Sequence, residues 1–155
     1  MKTQPSKSLL RSIARRAMLQ RGLLADFSPA VASEIACIAQ AAVETGPSIR
    51  DLRELLWASI DNDDSRDLDQ LSVAEPLANG AVKILVAIAD VSHYVREGTA
   101  IDREAAARGC SIYLPDRAIP MLPHQLSSTL ASLLPNVDRL TLAVEIEVSK
   151  EGVVR

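Results

Sequence analysis

Two apolar segments joined by an Asn-Gly dipeptide constrain the fold more than any other feature of this sequence. Residues 71–75 and 82–89 are rich in Leu, Val, Ile and Ala, and the Asn-Gly at 79–80 between them is typical of a hairpin turn. The second segment is apolar almost throughout, which predicts a strand covered on both faces. Residues 140–148 alternate between apolar and polar side chains, and the turn residues at 150–152 begin another hairpin.

Helical spacing or helix-capping residues mark other parts of the chain. The predicted helices cover residues 7–22, 28–44, 49–56, 101–108 and 124–134. Three prolines between residues 111 and 123 exclude a regular helix there and predict an ordered loop or short edge strands. We therefore expect an α+β fold, in which a helical, partly basic lead-in segment (1–56) precedes a sheet-containing domain (57–155).

The charge is unevenly distributed, although the formal net charge is only −3. Residues 1–25 carry six basic side chains and no acidic one. Lys7, Arg11 and Arg15 follow one another at intervals of four residues, which places them on one face of the first predicted helix. This basic face either lies along the phosphates of a nucleic acid or is simply solvated.

The cysteines and the hydropathy restrict the cellular context. Cys37 and Cys110 are far apart and form no C-x-x-C pair, which excludes a zinc signature and a disulfide framework and suits a reducing compartment. No apolar run approaches the roughly 18–20 residues of a membrane span. We expect a cytoplasmic protein without a membrane partner. A mitochondrial location is the alternative, since an Arg-rich, acid-free amino terminus is typical of a transit peptide.

A dense acidic run, residues 61–69, contains five carboxylates in nine residues. Carboxylates so close together repel one another, and a fold rarely gathers them without a cation. Asp67 and Asp69 point to the same side if they enter a strand, and Asp61 can fold over toward them across a loop. Such a group is suited to bind Mg²⁺, which coordinates a few carboxylates and leaves its other coordination positions to water and phosphate.

The acidic run has three other possible interpretations. The run can be a solvated loop, or one of Asp63 and Asp64 can cap a neighbouring element. The odd-numbered spacing also resembles a calcium-binding EF-hand loop, which requires Gly at its sixth position and Glu at its twelfth. This chain has Arg66 and Ser72 there, which excludes the EF-hand.

Four motifs follow one another over residues 57–149. They read SIDNDDSRDLDQ, VAIADVSHYV, AAARGCSIYLPDRAIPMLP and LSSTLASLLPNVDRL. In this order they resemble the start of the catalytic domain of the ribonuclease II/R (RNB) exoribonucleases. The preceding RAMLQRGLLADFS is similar to the lead-in of shorter bacterial members. The resemblance implies that residues 57–155 are the first part of this catalytic domain, with an incomplete mixed sheet that is truncated at 155. Such a fragment would be inactive alone.

The resemblance implies processive 3′→5′ hydrolysis of single-stranded RNA to nucleoside 5′-monophosphates with Mg²⁺, or Mn²⁺ in its place. Asp61, Asp67 and Asp69 match the acidic cluster that is catalytic and binds metal in the family. Tyr113 matches an aromatic that stacks on a base near the 3′ end, and stacking tolerates any base. The alternative for Tyr113 is an ordinary surface aromatic. No dedicated protein partner is inferred from the sequence.

Gln70 departs from the family pattern, which has two adjacent acids at 69 and 70. An amide oxygen still ligates Mg²⁺, directly or through water, but it contributes no negative charge. The alternative function is therefore an RNA-binding relative with little catalysis. The two hypotheses differ in metal dependence, because binding alone depends on salt and ignores a chelator.

Several further side chains have two possible roles. Arg117 and Arg139 either meet phosphate or pair with the adjacent Asp116 and Asp138. Asp90 and His93 follow a predicted buried strand and lie near the acidic run in the family. A histidine in such a place is either a ligand or a hydrogen-bonded packing residue. His124 is expected to be a surface or cap residue.

Overall fold

The computed structural model describes residues 7–114 and 117–155 and contains two compact units. Unit one comprises residues 1–39 and 95–124, and unit two comprises residues 40–94 and 125–155. The elements in chain order are α1 (Lys7–Gln20), α2 (Pro29–Ala36), β1 (Gln70–Pro76), β2 (Val82–Ala89), α3 (Ala100–Arg108), β3 (Ile112–Leu114), β4 (Arg117–Ile119) and β5 (Thr141–Val148). This mixture of helices and antiparallel strands confirms the predicted fold class. No helix of the described residues is long and apolar enough to cross a membrane.

Unit two is built on a three-stranded antiparallel sheet in the order β1–β2–β5. The predicted Asn-Gly hairpin is confirmed, with Val73 opposite Leu85 in the register of β1 and β2. The Leu77 N–H donates to the Ala81 carbonyl at 2.8 Å and closes the loop. Gly80 lies at φ 78°, a left-handed conformation that glycine adopts without steric cost. The turn after β5 is confirmed as well.

The central strand β2 is covered on one face rather than on both, so the prediction of double coverage is wrong. Leu85, Ala87 and Ala89 are buried, whereas Val82 and Ile88 on the other face are exposed. Successive side chains of a strand point to opposite faces, so an apolar run supplies two apolar faces. The described residues of unit two pack well against only one of them.

Unit one has a small core between α1 and the β3–β4 hairpin. Met18, Ala25 and Ile119 are buried, and Ile112 and Leu114 pack against them. The first helix was predicted to stop at Gly22, and α1 ends at Gln20 with Gly22 in the left-handed region. The two short paired strands confirm the alternative of short edge strands around the prolines.

Helix α2 begins as predicted but ends at Ala36 instead of continuing to residue 44. The Ser28 hydroxyl accepts the N–H of Val31 at 3.3 Å, and Pro29 occupies the first turn. At the other end, the N–H groups of Cys37 and Ile38 bond to carbonyls only three residues back, which tightens and terminates the helix. The predicted continuation of the helix is therefore wrong.

The third predicted helix, residues 49–56, is absent from the structure, which has turns there. The Asp51 carboxylate accepts the backbone N–H of Arg53 at 3.1 Å and also its guanidinium. The indole N–H of Trp57 donates to the Leu52 carbonyl at 2.8 Å. Side chains that bond to nearby backbone compete with helical hydrogen bonds, which explains why the helix does not form.

The helix predicted over residues 124–134 is reduced to a π-helical turn at Leu126–Leu130. The Ala131 N–H donates to the Leu126 carbonyl at 3.0 Å, five residues back. Beyond it, the Leu133 N–H donates to the carbonyl of Leu68 at 2.7 Å. A tertiary partner thus replaces the next helical bond and ends the turn.

Candidate functional site

An isolated β-bridge brings the two ends of the acidic run together in unit two. Ala58 and Ser72 exchange two backbone hydrogen bonds of 3.0 and 2.8 Å. Asp61 follows Ala58 by three residues, and Asp69 precedes Ser72 by three residues. Both aspartates line an open cleft of about 230 Å³. Local pairing therefore places carboxylates that are eight residues apart in sequence along one depression.

The cleft is lined largely by groups that can coordinate a hard cation. Besides the two aspartates, its lining residues are Ala58, Ser59, Ile60, Gln70 and Ser72. Gln70 opens β1 and pairs with Ile88 of β2, so the sheet fixes its backbone position. Two carboxylates, an amide oxygen and hydroxyls form an oxygen-rich donor set, which fits Mg²⁺ because that ion takes few protein ligands and keeps several waters.

Asp67 belongs to the same segment but is not among the residues that line the cleft. Within residues 7–114 and 117–155, no three His, Cys, Asp or Glu side chains are grouped closely enough to hold a metal ion. The structure thus joins Asp61, Asp69 and Gln70 and leaves Asp67 outside their group. A role for Asp67 as a ligand stays a prediction.

The three aspartates share one further property. Asp61, Asp67 and Asp69 are exposed, and no hydrogen-bond donor or basic side chain in the described part of the chain binds their carboxylates. Asp63 and Asp64 are exposed as well, at the centre of a turn closed by the Ser65 N–H and the Asn62 carbonyl at 3.0 Å. Neither caps a helix, so the interpretation as a solvated loop describes these two acids.

Ser132 is the residue that the sequence analysis missed at this site. It is buried, and its hydroxyl bonds to the backbone on both sides of Asp67. A polar side chain inside the apolar stretch Ala131–Leu134 was the signal that could have identified it, because a buried hydroxyl requires a hydrogen-bond partner.

Asp90 and His93 lie outside the cleft lining. The Asp90 carboxylate accepts the Ser92 hydroxyl at 2.6 Å, and the Asp90 N–H donates to the Leu140 carbonyl. His93 is half-buried, with its Nδ1 at 3.5 Å from a Glu44 carboxylate oxygen. These contacts favour the interpretation of His93 as a packing residue. His124 is exposed, as expected of a surface residue.

Arg139 bonds to backbone carbonyls and not to the Asp138 carboxylate, which was one of its two possible partners. Its guanidinium donates to the backbone carbonyls of Ser132, Asp138 and Thr129 at 2.8 to 3.1 Å. The Asp138 carboxylate instead accepts from Arg53 at 2.9 Å. The alternative in which Arg139 pairs with the Asp138 carboxylate is therefore not found, and contact of Arg139 with phosphate stays a prediction.

Arg53 and Asp51 of unit two shift each other's pKa. The Arg53 guanidinium lowers the pKa of the Asp51 carboxyl to about 2. Asp51 and Asp138 together raise the pKa of Arg53.

In unit one, Tyr113 and Arg117 lie on the β3–β4 hairpin. The Tyr113 ring is 73% exposed, which leaves its face open to stacking. The Nε of Arg117 is buried without a hydrogen-bond partner among the described residues. Asp116, one of the two possible partners of Arg117, lies outside those residues. The roles of both side chains stay predictions.

The basic face of α1 is partly engaged within unit one. Arg15 donates from its Nε to the Asp26 carboxylate at 2.8 Å, and both side chains are exposed. Arg11 is exposed too. An exposed ion pair is worth little and can exchange for another anion, so contact of this face with phosphates stays a prediction.

Three kinds of comparison associate the chain with known proteins. A family model described as RNB domain matches residues 49–155. Ribonuclease R of Thermotoga maritima is 49% identical over 103 residues, which are 66% of this chain and 14% of that protein. Ribonuclease R of Escherichia coli is 50% identical over 102 residues, 66% of this chain and 12% of that protein. The chain thus spans less than a fifth of the length of these relatives.

Solved structures of Mycoplasma genitalium RNase R have the same fold. The complex with ribose-methylated single-stranded RNA superimposes with a TM-score of 0.82 and 31% identity over 94% of this chain and 23% of that chain. The complex with double-stranded RNA gives the same TM-score and identity, over 26% of that chain. The similarity extends beyond the residues that the family model matches.

Proposed function

The chain belongs to the RNB domain family, and from that premise we propose that it is part of a hydrolytic exoribonuclease. Its substrate is single-stranded RNA, which it shortens from the 3′ end to release nucleoside 5′-monophosphates. The reaction requires Mg²⁺, or Mn²⁺ in its place. Support for RNA as the substrate comes from the ribonuclease R relatives and from the RNase R complexes with RNA.

One observation in this chain carries the proposal. Asp61 and Asp69 line one cleft, and no donor among the described residues satisfies their carboxylates. Gathering unneutralised acids costs electrostatic free energy, which a bound divalent cation offsets. The donor set is all oxygen, so the cation it selects is hard.

Each residue of the cleft has a distinct role in the proposal. Asp61 and Asp69 would hold the metal, Gln70 would add its amide oxygen, and Asp67 would contribute through a water molecule. When bound by these residues, Mg²⁺ would supply the Lewis-acid chemistry that activates water and stabilises the leaving oxygen of a phosphodiester. The carboxylates would orient the attacking water by accepting hydrogen bonds from it.

Residues outside the cleft hold the RNA. The exposed Tyr113 ring stacks on a base, which needs no particular sequence. Arg11, Arg15, Arg117 and Arg139 contribute positive charge near phosphates, and the interaction weakens as salt rises.

The relatives are several times longer than this chain, so we propose that the 155 residues alone do not turn over RNA. We place the complete protein in the cytoplasm, which imaging of a carboxyl-terminal fluorescent fusion would test.

The test is an exonuclease assay with the complete gene product. Single-stranded RNA labelled at its 5′ end is incubated with Mg²⁺, with a chelator, and with an Asp69→Asn variant. We expect a ladder that shortens to a small limit product, and a loss of about a hundredfold or more when the metal or the carboxylate is removed. Asp63→Asn is the matched control, because this acid lies in the same run but outside the cleft.

The alternative hypothesis predicts another result. RNA that is bound in a salt-dependent manner but stays intact with both Mg²⁺ and Mn²⁺ would identify an RNA-binding relative in which Gln70 marks a lost catalytic centre. Equal loss of activity in Asp69→Asn and Asp63→Asn would contradict the special role of the cleft.

A further inference from the structure

Ser132 bonds directly to the backbone that carries the acidic residues. Ser132 is buried, with only 1% of its surface exposed. The hydroxyl donates to the Arg66 carbonyl at 2.8 Å and accepts the Leu68 N–H at 3.1 Å. It thus uses its donor and an acceptor site at once, on the two peptide groups that flank Asp67.

Two more backbone bonds continue this attachment. The Leu133 N–H donates to the Leu68 carbonyl at 2.7 Å, so residues 132 and 133 hold both polar backbone groups of Leu68. The Ala89 N–H donates to the Asp69 carbonyl at 2.9 Å. Hydrogen bonds therefore fix segment 66–69 along its length. The segment itself lies outside the strands and ends where β1 begins.

The attachment matters because of what the segment carries. Asp67 and Asp69 alternate with Leu68, so anchoring the Leu68 backbone fixes the direction in which both carboxylates leave the chain. Unneutralised carboxylates repel one another and would spread apart on a free loop. A backbone held by four hydrogen bonds resists that spreading and keeps the acids in place before a cation arrives.

We propose that Ser132 is a positioning residue for the metal site: its hydroxyl holds segment 66–69 so that Asp69 faces the cleft together with Asp61. This inference rests on the proposed function, since it assigns Ser132 a role in metal affinity. Ser132 touches neither substrate nor metal and acts only through the backbone of the acidic segment.

The experiment compares Ser132→Ala with Ser127→Ala in the complete gene product. Ser127 is the matched control because its Oγ is also buried but has no hydrogen-bond partner among the described residues. Three quantities are measured without RNA: Mg²⁺ affinity by calorimetry, amide exchange at Leu68, and the melting temperature in chelator.

In Ser132→Ala we expect Mg²⁺ affinity to fall by about tenfold or more, as for other residues that orient metal ligands. Exchange at the Leu68 amide should accelerate, while exchange at the Val31 amide in unit one stays unchanged. Ser127→Ala should match the wild type in both quantities.

Two outcomes overturn different claims. A Ser132→Ala protein with a lower melting temperature but wild-type Mg²⁺ affinity would show a purely structural serine and overturn the positioning role alone. Wild-type protein that binds neither Mg²⁺ nor Mn²⁺ would overturn the proposed function and the positioning role with it. If Ser132→Ala does not fold, Ser132→Cys, which keeps the size and a weak donor, decides by the same titration.

Discussion

Two glutamates of unit one, Glu34 and Glu104, and the acidic run of unit two have opposite environments. In unit one, the Glu34 carboxylate accepts the N–H groups of Ala100 and Ile101 at 2.7 and 2.9 Å, at the start of α3. In the acidic run of unit two, Asp61 and Asp69 have no protein donor among the described residues. The difference separates acids that stabilise the fold from acids that remain available to a ligand.

Glu104 shows the structural role most completely. Its carboxylate accepts the Ser28 N–H at 3.0 Å and pairs with Arg108 at 2.7 Å, with both side chains almost fully buried. Burial alone would raise its pKa, but the hydrogen bonds from Arg108 and Ser28 outweigh burial and lower it. The Arg108 guanidinium also lies over the Phe27 ring at 3.9 Å.

The largest effect should come from a cleft acid. The double variant Asp61→Asn with Asp69→Asn should lose RNA hydrolysis by more than about a hundredfold, yet melt at the wild-type temperature or slightly above it, because a repulsion is removed. Assays of activity and thermal unfolding in chelator would check both. A large loss of stability would contradict the division between the two classes of acid.

The next largest effect should come from a structural acid. Glu104→Ala should destabilise the protein by about 3 kcal/mol, because it leaves the buried Arg108 charge unpaired. Urea denaturation measures the change, and Glu97→Ala, at an exposed glutamate of the same unit, is the control. If the two variants are equally stable, the Glu104–Arg108 pair does not hold unit one together.

A smaller effect should appear in the pH dependence of stability. The backbone N–H groups of Ala100 and Ile101 lower the pKa of Glu34. A depressed pKa contributes stability above the unfolded pKa of 4.5 and loses it as the pH falls through the folded value. Melting temperatures between pH 6 and 3 should therefore decline less steeply for Glu34→Gln than for the wild type.

Asp51 offers the same test in unit two. The Arg53 guanidinium lowers its pKa from 3.8 to about 2, so its contribution should disappear as the pH falls from about 4 to about 2. Asp51→Asn should lack this part of the acid dependence. Parallel curves for variant and wild type would show that the exposed pair is screened by solvent.

The smallest effect should come from the turn of the acidic run. Asp64→Asn should change stability by less than about 0.5 kcal/mol and leave activity unchanged, because its side chain is exposed and outside the cleft. Chemical denaturation and the exonuclease assay measure both. A marked loss of activity would extend the functional acids beyond the cleft.

Sequence patterns predicted the elements whose signals are local. The Asn-Gly turn, the strands on either side of it, the Ser28 cap and helices α1 and α3 all follow from residues close together in the chain. The motifs led to the RNB family, which the family model confirms. They also singled out Asp61 and Asp69, which the Ala58–Ser72 bridge brings to one cleft.

The three errors in helix extent arise because other hydrogen-bond partners compete with the helical ones. The predicted helix α2 was longer than the helix that forms, and residues 49–56 and 124–134 were predicted to be helical. Periodicity does not reveal a partner that competes for the hydrogen bonds of a helix. Some of these partners are close in sequence, such as the Asp51 carboxylate that accepts the Arg53 N–H, and others are distant, such as the Leu68 carbonyl that accepts the Leu133 N–H. The distant partners come within reach only once the chain has folded.

The sequence alone therefore determined the family, the fold class, the hairpins and the dense acidic run, because each depends on residue type and short spacing. Only the tertiary structure decided which acids line the cleft, which face of β2 is buried, and that Ser132 holds the segment carrying Asp67 and Asp69. The Ser132 hydroxyl meets the Leu68 N–H across 64 positions of the chain. A hydrogen bond between such distant residues leaves no periodic trace in the sequence, since folding alone brings its two ends within reach.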